Sequence, residues 1–113
     1  MSDRATFGRL RRSGRRVRRG PVSVTWVEVD ASEPTRVAYT VGRRVGTAVV
    51  RNTVRRRLRA AVASSADVLR PGPYLIGVGP EASRLPYRTL HTAVRDALIA
   101  VVRAPAPPER RSS

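Results

Sequence analysis

The chain has 113 residues, the length of one domain, with 23 basic residues against 8 acidic ones and a formal net charge of +15. The basic residues are all arginine, cysteine is absent and His91 is the lone histidine. That excludes disulfide scaffolds, thiolate zinc sites, cysteine nucleophiles and centres built on paired histidines, and leaves a very basic domain with a polyanionic partner.

The charge is concentrated. Residues 1–20 and residues 43–59 each carry +7, so 14 of the 15 charges sit in two short blocks. A chain tuned only for solubility intersperses the two signs. In the first block, Phe7 and Leu10 lie three apart and Gly14 stands at a helix stop, which predicts a short helix over 6–13. Residues 15–19 read as a charged loop, at its simplest a nonspecific electrostatic arm.

Residues 22–29 have strand composition. Val22, Val24 and Trp26 fall on one face and Ser23, Thr25 and Val27 on the other. Residues 30–34 are turn-forming, and 36–41 predict a second strand with Val37, Tyr39 and Val41 on one side. These two strands read as an antiparallel pair joined by a short loop. Thr47 is a helix N-cap, and from Ala48 the apolar positions Val50, Val54, Leu58, Ala61 and Val62 make one buried stripe. On the same wheel Arg51, Asn52, Arg55, Arg56 and Arg59 gather within an arc of about 140°, with Arg57 and Thr53 pointing elsewhere.

The break at 71–73 is followed by an apolar strand over 74–78 and a loop over 80–86. Pro86 suits the first turn of a last helix, whose stripe is Leu90, Val94, Ala97, Leu98, Val101 and Val102. Residues 104–113 read as a disordered Pro/Arg-rich tail after a single basic, polyanion-binding domain over 1–103. Trp26 and Tyr39 are assigned to the core, Phe7 suits either packing or base stacking, and His91 reads as solvated beside Arg95. The order of elements defines an α+β sandwich. No apolar run is long enough to cross a bilayer, which points to a cytoplasmic protein without a membrane partner.

Residues 42–59 read GRRVGTAVVRNTVRRRLR. This resembles the signature of the bacterial ribonuclease P protein component, a basic pair followed by G-N-A-V-x-R-N-x-x-[K/R]-R-x-x-R on the family's second helix. Arg43 and Arg44 match the basic pair; Arg51, Asn52, Arg55, Arg56 and Arg59 match the RNA-binding positions. The flanks are similar too, from the aromatic Phe7 through Trp26 and from Tyr74 to Tyr87, so the resemblance covers about nine-tenths of the chain. Thr47 stands where members usually have Asn, Thr53 where many have Arg, Thr25 where some have an aromatic, and Gly79 where many have Arg.

The resemblance implies a central mixed sheet of about four strands packed by helices. The implied order is α-β-β-(β)-α-β-α, with a left-handed βαβ crossover. It also implies the protein subunit of an endoribonuclease that removes the 5′ leader of precursor tRNA. There the RNA subunit carries the catalysis with Mg2+, and the protein, one per RNA in the family's pattern, binds no cofactor or metal of its own and supplies no catalytic residue. Its partners are the ribonuclease P RNA and precursor tRNA, with Phe7, Arg11, Ser23 and Thr25 placed in a leader cleft. The competing readings are a general or ribosomal RNA-binding protein of related fold and, less well matched by an all-arginine helix face, a DNA-binding module.

Overall fold

Four strands and two long helices account for most of the described chain, which comprises Gly8, Leu10 and residues 14–105 of the computed structural model. The strands are β1 (Arg15–Arg19), β2 (Val22–Trp26), β3 (Thr35–Val41) and β4 (Gly72–Val78); the helices are α1 (Ala48–Ser64) and α2 (Tyr87–Arg103). Single 3-10 turns at Arg43–Val45, Ala66–Val68 and Pro80–Arg84 connect them. Of the helix expected over 6–13, Gly8 and Leu10 are helical and Leu10 is buried, while the other positions lie outside the described residues. The expected tail lies outside them beyond residue 105.

The sheet order is β1-β2-β4-β3, with β1–β2 and β2–β4 antiparallel and β3–β4 parallel. Two expectations are corrected here. Residues 15–19 form an edge strand rather than a loop, because Gly20 and Pro21 close a two-residue hairpin that returns the chain along β2. Gly20 has φ +57°, the left-handed value that the first central position of such a turn requires. Nor do β2 and β3 pair with each other. The connection over 27–34 is longer than a usual hairpin loop and carries β3 to the far edge, so that β4 inserts between them. A nearly continuous apolar strand suits that interior position, and α1 provides the crossover that a parallel pair needs.

Strand alternation then sorts the side chains. On one face Val22, Val24, Trp26, Tyr74 and Ile76 are buried beneath the helices, α2 lying across β1 and β2 and α1 across β3. The helices contribute Val54, Leu58, Ala61 and Val62 from α1 and Leu90, Val94, Ala97, Leu98 and Val101 from α2. Fully burying each such aliphatic side chain stabilises the fold by about 1.5–3 kcal/mol relative to exposure. Trp26 stands opposite Tyr74 across the strands with ring centroids 6.0 Å apart, and its indole N–H donates to the Pro71 carbonyl at 3.1 Å. The core assignment of Trp26 therefore holds, and its one polar atom is satisfied. Among the described residues, the other face of the sheet carries no long helix.

Candidate nucleic-acid interface

The first functional surface is α1. Its N-cap is Thr47, whose hydroxyl accepts from the Val50 amide at 3.3 Å. The helix carries five arginines and no acid, with no acidic residue in its first turn and no basic one in its last. That arrangement runs against the helix dipole, and Arg51–Arg55 and Arg55–Arg59 are like charges four apart. Stability does not select such a helix; binding a polyanion does.

The structure brings the expected positions together on one side of α1. Asn52, Arg56 and Arg59 are exposed, while Arg51 and Arg55 lay half-buried stems along the helix flank. The Arg55 guanidinium donates to Asn52 Oδ1 at 3.0 Å, which fixes both side chains and leaves the Asn52 amide nitrogen free to donate outward. The Arg59 guanidinium lies 5.8 Å from the centre of the Tyr39 ring, a cation–π contact that ties the far end of the rail to β3. Tyr39 is half-buried, and burial pushes its hydroxyl pKa up, partly offset by the positive charge of Arg59. Arg43 and Arg44 are exposed in the turn before α1, which buried Val45 anchors. Among the described residues no carboxylate pairs with any arginine of this set.

The second surface is the open face of the sheet. The register lines up Arg18, Ser23, Gly77 and Thr40 in one row and Arg16, Thr25, Leu75 and Ala38 in the next. These rows floor a groove of 350 Å³. Ser23 and Thr25 thus both line the groove, on the sheet face opposite Val22, Val24 and Trp26. Gly14 packs on the Thr25 methyl group too closely for any Cβ, and its amide donates to the Leu10 carbonyl at 3.0 Å, so Gly14 itself lies against the Thr25 end of the groove. Phe7 and Arg11, the other two expected members of the cleft, lie outside the described residues.

Arg16 and Arg18 are the groove residues that sequence reasoning missed, because 15–19 read as a loop. The signal was available in the Gly20-Pro21 turn dipeptide, which makes the preceding run the first arm of a hairpin. Their neighbour Arg15 does something different. Its guanidinium donates to the Val102 carbonyl at 3.2 Å, pairs with Glu28 at 2.7 Å and lies 5.3 Å from the Trp26 ring centre. His91 also departs from expectation: it is half-buried, its ring edge-to-face with Tyr87 at 5.8 Å.

An arginine-lined helix laid on a mixed four-stranded sheet, with a basic groove on the sheet's other face, defines an α+β protein with two basic surfaces, the charge pattern of a nucleic-acid-binding class. Residues 1–102 match the ribonuclease P protein family. The ribonuclease P protein component of Symbiobacterium thermophilum is 33% identical over 97 residues, covering 85% of this chain and 84% of that protein. That of Thermobifida fusca is 37% identical over 111 residues, covering 91% and 76%. In fold, the chain is similar to the Thermotoga maritima RNase P protein, with a TM-score of 0.76 at 18% identity over 89% of this chain and 96% of that one. The Staphylococcus aureus RNase P protein gives 0.71 at 17% identity, covering 91% of each. The chain belongs to the bacterial ribonuclease P protein component family. It is a protein subunit of the ribonuclease P holoenzyme, which matures the 5′ end of tRNA, and its partner is the ribonuclease P RNA.

Proposed function

We propose that the two surfaces divide the labour of the subunit. Arg43, Arg44, Arg51, Asn52, Arg55, Arg56 and Arg59 dock the catalytic RNA, and the groove of Arg16, Arg18, Ser23 and Thr25 holds the 5′ leader of precursor tRNA. The observation that carries this reading is the sheet itself, which separates a basic helix face from a basic groove. Arginine forks hold RNA phosphates bidentately, and a narrow groove floored by hydroxyls and a glycine admits a single strand.

Cleavage chemistry in this reading belongs to the RNA. Of the carboxylates, Glu28 is committed to Arg15 and Asp67 to Arg95, and no group of three or more His, Cys, Asp or Glu that could hold a metal occurs among the described residues. In this reading, by the chain's resemblance to the family, the Mg2+ of the holoenzyme is assigned to the RNA, with one protein per RNA in the cytoplasm. No helix among the described residues is long and apolar enough to cross a membrane.

The test is cleavage of precursor tRNA by the cognate ribonuclease P RNA with and without this protein. The protein should lower the magnesium and substrate concentrations needed, and should favour substrates with a leader over mature tRNA. No effect on cleavage, together with sequence-specific binding to duplex DNA, would instead establish the DNA-binding alternative.

A further inference from the structure

Two large apolar side chains stand exposed among the described residues, Val49 at 75% and Tyr87 at 39%. Val49 is isolated at the border of the α1 rail. Tyr87 is not isolated. Its ring meets His91 edge-to-face, with centroids 5.8 Å apart and planes at 64°, on a flank of the first two turns of α2 outside the buried stripe. Arg84 precedes it in the Pro80–Arg84 turn and Arg88 follows it on the helix. Both arginines are exposed, and neither has a hydrogen bond or ion pair with a described residue. The Pro80–Arg84 turn packs against the Arg43–Val45 turn and against α1. Arg84 therefore lies in a turn packed beside the one that carries Arg43 and Arg44, and Tyr87 and Arg88 follow it directly in the chain.

We propose that Tyr87, braced edge-to-face by His91 and flanked by Arg84 and Arg88, forms a stacking platform for an unpaired nucleotide of the catalytic RNA subunit. An exposed ring offers a π-face to any base, and partnerless arginines beside it suit the phosphates on either side. The RNA subunit is the occupant because α2 lies on the helical side of the sheet and the turn leading into it packs on the turn and helix that carry the docking arginines, while the leader groove is on the opposite face. A second copy of this chain on the same patch would bring like-charged arginines together without compensation. The inference rests on the docking role proposed for the rail.

The experiment measures the affinity of the full chain for its cognate ribonuclease P RNA across a salt series. Far-UV circular dichroism and thermal unfolding accompany it to verify that each variant is folded. Tyr87→Ala should raise Kd roughly tenfold with the salt slope unchanged, since stacking is not ionic, and Tyr87→Phe should restore binding. Arg84→Ala and Arg88→Ala should each reduce the slope of log K against log salt by about 0.7 to 0.9. A folded Tyr87→Ala protein with Kd within twofold of wild type would overturn the platform, as would a Tyr87→Phe protein as weak as Tyr87→Ala. Sedimentation showing that Tyr87→Ala splits a dimer would also overturn it, in favour of self-association. If wild type binds the RNA and rail variants weaken it while Tyr87→Ala does not, the platform alone fails; if wild type itself does not bind, the docking reading fails as well.

Discussion

Neighbouring arginines on β1 do opposite work because a strand sends alternate side chains to opposite faces. Arg15 turns toward the helices, where its side chain is only 18% exposed and joins β1 to the Val102 carbonyl of α2, to Glu28 and to the Trp26 ring. Arg16 turns to the groove. Arg15→Ala is expected to destabilise the protein by about 1–2 kcal/mol, the combined scale of one partly buried hydrogen bond and a cation–π contact. Glu28, 66% exposed, adds little, so Glu28→Gln should cost under about 0.5 kcal/mol. Arg16→Ala should leave stability within about 0.5 kcal/mol and weaken only leader-bearing substrates. Thermal unfolding followed by the fluorescence of Trp26, the single tryptophan, checks all three variants. A second pair sets a pH dependence. Arg95 donates two parallel hydrogen bonds to Asp67 at 3.0 and 2.9 Å, and these bonds hold the Asp67 carboxyl below the usual carboxylate range. A carboxylate whose folded pKa is depressed contributes stability above its unfolded pKa and loses it as pH falls through the folded value. Asp67→Asn should therefore melt slightly below wild type at neutral pH, and the two melting temperatures should converge in acid. A gap that persists at low pH would place the effect elsewhere.

The helix α1 is a case in which binding and stability pull apart. Arg55 has like charges four residues away on both sides, each pair unfavourable by about 0.2–0.5 kcal/mol in an isolated helix. Arg55→Gln should thus raise the melting temperature of the free protein slightly while weakening its binding to the RNA subunit. Arg55→Ala and Arg56→Ala should each flatten the salt dependence of that binding by about 0.7 to 0.9 log units, and unchanged slopes would remove the rail from the interface. This element was the most legible in the sequence, because a 3.6-residue period records both the buried stripe and the basic arc in one 17-residue window. Its N-cap at Thr47 followed from local chemistry alone. The sheet was less legible. The periodicity of Val22, Val24 and Trp26 identifies a strand and its inward face but carries no information about neighbours, so the insertion of β4 between β2 and β3 could not be read from either segment. In β1, four arginines around one valine masked the alternation, since both faces of that strand carry charge. The exposure of Tyr87 and the packing of the Pro80–Arg84 turn on the Arg43–Val45 turn are products of tertiary packing, invisible to a local pattern.

For the whole molecule, the consequence of a sheet between two basic surfaces is thermodynamic independence. The rail sits on a helix over β3 and the groove on the sheet's other face, so a substitution on one surface shares no partner with a substitution on the other. Effects at sites without shared partners usually add within about 0.3–0.5 kcal/mol. Once the protein is saturating on the RNA subunit, leader affinity should depend on the groove and not on the rail. Two measurements separate the steps: binding of the protein to ribonuclease P RNA, and binding of precursor tRNA to the assembled holoenzyme. Arg56→Ala should weaken the first and spare the second. Arg16→Ala should do the reverse, and should lose its effect with a substrate that lacks a leader. The double variant should show both losses with a coupling energy below about 0.5 kcal/mol in either measurement. A larger coupling would mean that one nucleic acid segment spans both faces, most simply by passing over the β3 edge where Arg59 meets Tyr39 and Thr40 enters the groove. In that event the sheet would be a saddle for a single RNA rather than a partition between two.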